Sequence, residues 1–211
     1  MRTLTNFTLT ACIGLALGIG QAWAGAQPDQ IHRLSEDLPP MGSVRAGNAD
    51  GTIPEWTGGI TEAPAGYSPG DHHPNPFPED KPLYRITGEN YQEYADKLSP
   101  GQVGLFEKYG ETYFMDVYQS RRSASFPEHI YEMTAKNGQT AELADNGEGV
   151  LNAAEGFPCP FPENAYELMW NHKLKYKGIG GVRYNNQVAP TADGNFTTTV
   201  IREELLGLYY K

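Results

Sequence analysis

Few side chains in this sequence have the types and spacing that catalysis or metal binding require, and the best metal candidate is a short loop. Its residues 48–53, NADGTI, resemble the middle of a calcium-binding loop, where alternate oxygen ligands precede a glycine turn. A complete loop also needs an acidic first ligand and a glutamate at its twelfth position. Those positions hold Ala46 and Thr57. The sequence therefore predicts an Asp-Gly turn that presents Ile53 and Trp56, with no metal.

The other polar candidates lack catalytic spacing. His72 and His73 follow Asp71, but neighbouring side chains in extended chain point to opposite sides and rarely bind one metal together. The sequence contains no HExxH, no GxSxG and no phosphate-binding glycine loop. The pair Glu203-Glu204 is typical of a solvated surface. We therefore predict that the protein is not an enzyme and that it holds no metal or cofactor.

The N-terminus has the pattern of a secretion signal. Arg2 precedes an apolar run over residues 9–20, and small residues stand at both positions that specify cleavage after Ala24. The run is too short to span a membrane. Cys12 resembles a lipidation site, but most of the apolar run follows it, so ordinary cleavage is favoured over acylation. Residues 1–24 are therefore predicted to be a signal peptide, which places the protein in the periplasm, with outer-membrane association as a further expectation.

Charge and cysteine content narrow the function further. The formal net charge of −10 argues against nucleic acid as a partner. Removal of the signal leaves Cys159 as a single thiol, which cannot form an internal disulfide. Prolines and aromatic residues flank Cys159, and no cationic neighbour is present to lower its pKa. The sequence predicts a buried or unreactive thiol.

Residues 25–86 are rich in proline and glycine and are predicted to form an extended strap. Ten of the 16 prolines lie between Pro28 and Pro82, a density that excludes regular helix or strand. Apolar side chains recur along the strap and are expected to dock it on a surface: Ile53, Trp56, Ile60, Tyr67, Phe77, Leu83 and Tyr84. A partner-binding proline-rich segment is the alternative, but no PxxP core with a basic flank occurs.

Residues 87–211 have helical periodicity first and strand alternation afterwards. Helices are predicted from Thr87 to Leu98, from Pro100 to Gly110, from Pro127 to Asn137-Gly138 and from Pro162 to Gly178. The second has a capping box, in which Ser99 caps the helix and Gln102 bonds back. Strands are predicted over residues 113–118, 181–188, 195–203 and 205–210, with a hairpin turn at 192–194. A final strand with an open edge suggests either a fragment or closure onto an earlier strand.

Several blocks of the sequence resemble the bacterial family called domain of unknown function 1329, often described as outer-membrane lipoprotein-sorting-like. They are RAGNADGTIPEWTGG (45–59), PFPEDKPLYRIT (76–87), NYQEYADKLSPGQ (90–102), MDVYQSRRSASFPEHIYE (115–132) and GFPCPFPENAYELMWNHKLKYKG (156–178). They occur in the family's order. Family members continue into a second half of comparable length, so the resemblance implies that residues 87–211 are the N-terminal part of a longer domain.

The resemblance implies an α+β fold related to the periplasmic lipoprotein carrier and its outer-membrane receptor. In those proteins a curved antiparallel sheet forms an incomplete barrel, and helices pack on it or plug it around an apolar cavity. Such a cavity can shield an acyl chain, whose burial is worth about 0.8 kcal/mol per methylene. The candidate ligand-binding residues are Trp56, Phe106, Tyr131, Met169 and Trp170. The aromatic residues could equally form a core.

The expected function is a periplasmic, non-enzymatic carrier of a lipid, a lipoprotein acyl chain or another hydrophobic molecule in outer-membrane traffic. Its expected partners are that molecule and an envelope transport complex. The alternative is a structural or adaptor protein of an envelope complex, with the strap as its contact element. An envelope hydrolase is a third hypothesis. Carrier and adaptor differ in whether the purified protein retains an apolar ligand.

Overall fold

The computed structural model describes residues 28–211, so the predicted signal peptide over residues 1–24 and Cys12 lie outside the described residues. The described chain contains four α-helices and three separate two-stranded antiparallel sheets. The predicted α+β class is confirmed. Within residues 28–211 the three strand pairs do not join into one curved sheet. No helix among the described residues has the length and apolar character needed to cross a membrane.

The first sheet pairs β1 (Tyr84–Thr87) with β2 (Phe114–Val117). It receives the end of the strap, because the N–H of Leu83 donates to the carbonyl oxygen of Val117 at 2.7 Å. The predicted strand over residues 113–118 is confirmed by β2. Short helix α1 (Pro28–Ile31) begins the described chain.

The helix predicted from Thr87 is wrong in type and in start. Thr87 ends β1, and a 3₁₀ helix occupies Tyr91–Lys97. The side chain of Asn90 is the cause, because its oxygen accepts from the N–H of Thr87 at 2.7 Å while its amide donates to the Arg85 carbonyl at 3.1 Å. These bonds form a tight turn first, and the approach to Pro100 then limits the helix to two turns.

Helix α2 (Pro100–Tyr109) follows the predicted capping box and ends at Gly110, as expected. The N–H of Ser99 donates to Gln102 Oε1 at 2.8 Å, and the N–H of Gln102 donates to Ser99 Oγ at 3.3 Å. The buried ring of Phe106 on this helix lies 5.4 Å from the ring of Tyr91 and 4.7 Å from that of Tyr113. Local capping and one aromatic cluster therefore fix this helix.

Helix α3 (Glu128–Thr140) begins after Pro127 as predicted but runs past the expected end at Asn137-Gly138. Gly138 is a packing glycine, because a Cβ there would lie 2.9 Å from side-chain atoms of Ile31 and of Pro160. The Asn-Gly pair therefore allows close approach of two segments and does not end the helix. Ile130 and Thr134 on the inner face of α3 are fully buried.

Helix α4 (Ala165–Lys173) is shorter than the predicted span from Pro162 to Gly178. Asn164 is its cap and accepts from the N–H of Glu167 at 3.1 Å. The buried Glu167 carboxylate accepts in turn from the N–H of Glu163 and the amide of Asn164, both at 2.7 Å. A side-chain cap outweighs the proline signal because it satisfies free N–H groups of the first turn. Between α3 and α4 lies a short pair that the sequence did not predict, β3 (Glu142–Leu143) with β4 (Val150–Leu151).

The third sheet is a long hairpin of β5 (Gly180–Pro190) and β6 (Phe196–Leu206). It confirms the predicted turn, where Asp193 accepts from the Thr191 hydroxyl and from the N–H of Asn195. These hydrogen bonds lower the pKa of Asp193 to about 2. The strand predicted over Leu205–Tyr210 is wrong. β6 already includes Leu205 and Leu206, and Leu208–Tyr210 form a 3₁₀ turn. A contact outside the hairpin fixes that turn, because the Tyr209 hydroxyl donates to the Gly156 carbonyl at 2.6 Å.

Candidate functional site

Hydrogen bonds to main-chain carbonyl oxygens attach the strap to the segment that follows β2. The Nε1–H of Trp56 donates to the carbonyl oxygen of Ala124 at 2.9 Å, and the N–H of Ile60 donates to that of Ser123 at 2.9 Å. The guanidinium of Arg122 donates to the carbonyl oxygens of Val44 at 2.6 Å and Arg45 at 2.9 Å. Each contact joins residues distant in sequence, so the strap lies on a surface of this same chain.

The strap anchors do not contribute equally. Trp56 is buried, and the guanidinium of Arg45 lies 5.4 Å from its ring centroid. Two other predicted anchors are exposed, Ile53 to 47% and Leu83 to 65%. Ile53 is exposed because it closes the Asp-Gly turn, in which its N–H donates to Asn48 Oδ1 at 2.9 Å. The Asn48 oxygen expected of a calcium ligand is thus engaged by the main chain.

A polar cleft of about 460 Å³ lies between the strap and the segment after β2. Arg121 and Arg122 line it, together with Phe77 and Glu55. Asp80 neutralises Arg121, accepting its Nε–H at 3.0 Å, and this bond lowers the pKa of Asp80. The Arg121 guanidinium also lies 4.2 Å from the Phe77 ring centroid. One arginine of this cleft is therefore paired with a carboxylate.

A second cleft of about 500 Å³ continues along the strap from Ile60, which lines both clefts. Its walls include Pro64, Tyr67, Pro74 and Pro76. The rings of Tyr67 and His73 meet edge to face, 5.6 Å between centroids. Both volumes lie in the ~300–1,000 Å³ range typical of small-molecule sites. We call the two clefts together the strap groove.

Two of the predicted ligand-binding residues flank the segment 124–126. Trp56 reaches Ala124, as described above. Tyr131 on α3 accepts from the N–H of Phe126 at 2.8 Å through its hydroxyl, and the two rings lie 6.3 Å apart. Both side chains therefore hold this segment in place.

The other three predicted residues lie in different surroundings. Phe106 is in the aromatic cluster of α2. Met169 and Trp170 are neighbours on α4, where Met169 is exposed and Trp170 is half-buried. The Nε1–H of Trp170 donates to the Gly147 carbonyl at 2.9 Å, and Lys173 Nζ lies 4.0 Å from its ring centroid.

The largest apolar feature is one face of the β5–β6 hairpin. Directly opposed residues share a face, and the register pairs even-numbered residues with even-numbered ones. The same face holds the polar side chains of Asn186, Thr198, Arg202 and Glu204. The six apolar side chains of what we call the hairpin's apolar face are Val182, Tyr184, Val188, Phe196, Val200 and Leu206. All are exposed, Tyr184 to 71% and Val200 to 77%. Exposed apolar side chains gathered on one face make it a candidate interaction surface.

The opposite face of the hairpin is polar. Arg183 and Glu203 form an ion pair there, and the Asn185 amide donates to the same Glu203 carboxylate at 3.1 Å. Thr197 and Thr199 continue this face toward the turn. The alternation predicted from the sequence is present, but no described element covers the apolar side.

The described residues 28–211 contain no group of three or more histidine, cysteine, aspartate or glutamate side chains that could hold a metal ion. Cys159 is buried and forms no disulfide. Burial, and next the charge of Glu167, raises the pKa of this thiol to about 12. The thiolate fraction is then roughly one in ten thousand at pH 8, so the group is a poor nucleophile.

We expect Cys159 to be alkylated by iodoacetamide at pH 8 at least ~1,000-fold more slowly in the native protein than in urea. The measurement is mass spectrometry of the peptide that contains Cys159, sampled over time under both conditions. Equal rates would mean that the Asn171–Cys159 hydrogen bonds, at 2.9 and 2.6 Å, do not keep this loop closed.

No pattern in the sequence selected Arg121 and Arg122, although both line the strap groove. The available signal was the pair itself, since two adjacent arginines stand out in a chain of net charge −10. The role of Arg122 depends on carbonyl groups more than 70 residues away in sequence, and that of Arg121 on a carboxylate 41 residues away. No local pattern reveals such a contact.

Comparison with known proteins agrees with the resemblance noted in the sequence. Residues 85–211 match the family described as "Protein of unknown function (DUF1329)". The chain is 35% identical over 196 residues to "Uncharacterized protein PA3922" of Pseudomonas aeruginosa. That match covers 93% of this chain and 43% of the relative, so the chain spans less than half of the relative's length. No solved structure matches. Because the family match covers more than half of the chain, this protein belongs to the DUF1329 family.

Proposed function

We propose that this protein is a periplasmic, non-enzymatic carrier of a lipid, a lipoprotein acyl chain or another hydrophobic molecule in outer-membrane traffic. The observation that supports the proposal is the uncovered apolar face of the β5–β6 hairpin. Strands of 11 residues span about 35 Å at ~3.4 Å per residue. A surface of that length suits an extended acyl chain.

An isolated two-stranded hairpin is marginally stable in water. The Arg202–Glu204 ion pair lies on the apolar face of this hairpin, and Arg202 also donates to the Tyr184 hydroxyl at 3.1 Å. The six apolar side chains remain available beside these polar contacts, and burial contributes about 25 cal/mol per Å² of apolar surface. In the proposed carrier the hairpin is part of a larger curved sheet, an incomplete barrel, whose inner side contacts the cargo.

The proposal is tested with a hydrophobic fluorescent probe, N-phenyl-1-naphthylamine. Val200→Glu places a charge on the apolar face and should weaken probe binding at least tenfold. Thr199→Glu is the matched control, because it places the same charge one residue away on the polar face. It should leave binding within about twofold of wild type. Circular dichroism establishes that both variants retain the native secondary structure.

Native mass spectrometry of protein recovered from the periplasm then identifies the cargo. A mass that begins at Gly25 with a bound lipid-sized adduct would support both the location and the function. Folded protein without an adduct, together with equal probe binding by the two glutamate variants, would overturn the carrier.

A further inference from the structure

We propose that the strap groove binds a single-chain amphiphile with an anionic head. The phosphate or carboxylate head lies against Arg122, and the alkyl chain extends past Ile60 toward Tyr67. The groove is separate from the hairpin, so this inference does not require the carrier function. It rests on the different polarity of two neighbouring clefts that share Ile60 as a lining residue.

At the head end, the Arg122 guanidinium carries a positive charge that forms no ion pair with a described carboxylate. Arg121 is paired with Asp80, whereas the hydrogen bonds of Arg122 among the described residues all go to main-chain carbonyls of residues 44–46. A guanidinium has five N–H donors, so Arg122 retains donors for an oxyanion. Guanidinium binds phosphate and carboxylate well because its planar fork matches their geometry. The hydroxyls of Ser120 and Ser123 line the same cleft.

Glu55 opposes an anion at this end and gives the inference a sharp test. Glu55 lines the polar cleft that holds Arg121 and Arg122, and it is exposed. It forms no hydrogen bond or ion pair with another residue in the range 28–211. Replacing this carboxylate with a neutral amide should therefore leave the fold intact. The net charge beside Arg122 then becomes more positive, so affinity for an anion should rise.

The chain end is largely apolar, although Glu62 also lines it. Pro64, Pro74 and Pro76 wall the second cleft, and proline fixes its own backbone φ angle. Such walls lose little conformational freedom when a ligand binds, so the cost of ordering the site is low. Tyr67 adds an aromatic surface held by its edge contact with His73. An alkyl chain fits the proline and tyrosine walls of this cleft.

The experiment is isothermal titration calorimetry of the full chain below the micelle concentration of each ligand. The probes are dodecyl phosphate, dodecyl maltoside, which has the same chain and a neutral head, and inorganic phosphate. Dodecyl phosphate should bind at least tenfold more tightly than either of the other two. Binding by inorganic phosphate at the same affinity would identify a free-anion site and overturn the amphiphile.

Four variants locate the ligand. Arg122→Gln should weaken dodecyl phosphate binding at least tenfold, and Glu55→Gln should tighten it about two- to fivefold. Tyr67→Ala should weaken dodecyl phosphate and leave inorganic phosphate unchanged. Arg183→Gln, on the polar face of the hairpin, is the charge-matched control and should have no effect.

Because Arg122→Gln removes contacts that hold the strap, Glu55→Gln decides the case if that variant fails to fold. Unchanged or weaker binding by Glu55→Gln would overturn the inference. If Val200→Glu abolishes dodecyl phosphate binding while Glu55→Gln has no effect, the ligand binds the hairpin. The strap groove proposal then fails and the carrier proposal stands.

Discussion

Replacing Asn137 with alanine should lower the free energy of unfolding by about 3 kcal/mol, because the side chain is 1% exposed and serves the main chain of a neighbouring loop. Its amide donates to the carbonyl oxygens of Ala154 at 2.9 Å and Phe157 at 3.3 Å, and its oxygen accepts from the N–H of Ala154 at 3.2 Å. Alanine leaves the Ala154 N–H and the Phe157 carbonyl without a partner, whereas the Ala154 carbonyl still accepts from the N–H of Gly156 at 2.7 Å. Urea denaturation followed by circular dichroism measures the loss.

Gln139→Ala is the control for this prediction. Gln139 lies on the same helix but is exposed, and its amide bonds only to the Ala135 carbonyl of its own helix, at 3.4 Å. We expect a change within about 0.5 kcal/mol, typical of surface substitutions. If the Asn137→Ala protein were as stable as this control, the loop at residues 154–157 would not depend on the amide.

Replacing Trp56 with alanine should release the strap, because this is its one buried aromatic anchor among the described residues. The substitution removes a large buried ring and the 2.9 Å bond to Ala124, a loss of about 3–5 kcal/mol. Since ~1.4 kcal/mol is a factor of ten, a loss of 3 kcal/mol increases the undocked population by about 100-fold. Chymotrypsin cleavage after Tyr67, under native conditions, should accelerate by that factor.

Two further variants separate packing from hydrogen bonding. Trp56→Phe keeps much of the ring and loses the Nε1–H donor, so cleavage should accelerate by about tenfold. Ile53→Ala removes an exposed apolar side chain of the same strap and should change the rate less than threefold. Equal rates for Trp56→Ala and Ile53→Ala would show that the hydrogen bonds of Ile60 and Arg122 hold the strap without the indole.

Local chemistry made some elements predictable from sequence. The capping box at Ser99 and Gln102 fixes the start of α2 within a few residues, and the Asp193-Gly194 turn fixes the β5–β6 hairpin. In both cases the deciding hydrogen bonds join residues two or three positions apart. Both partners of such a contact lie within one short sequence motif, so pattern analysis finds them.

Elements set by distant contacts were missed or misplaced. Gly138 looked like a helix end, but it is small because Ile31 and Pro160 approach it. The run Leu205–Tyr210 looked like one strand, but the hydrogen bond of Tyr209 to Gly156 turns the chain away. The cleft lined by Arg121 and Arg122 was missed for the same reason, since Arg122 donates hydrogen bonds to the distant carbonyls of Val44 and Arg45. Tertiary packing overrides local preference in each case.

The docking of the strap also constrains the order in which this protein can fold. The contact of Trp56 with Ala124 spans 68 residues, and that of Arg122 with Val44 spans 78. Synthesis delivers the N-terminal side first, so the strap emerges before its docking surface exists. Its apolar anchors therefore stay exposed until the residues after β2 are available for docking. Contacts of such sequence separation form slowly, and a holding chaperone that binds extended apolar chain would find its target in that interval.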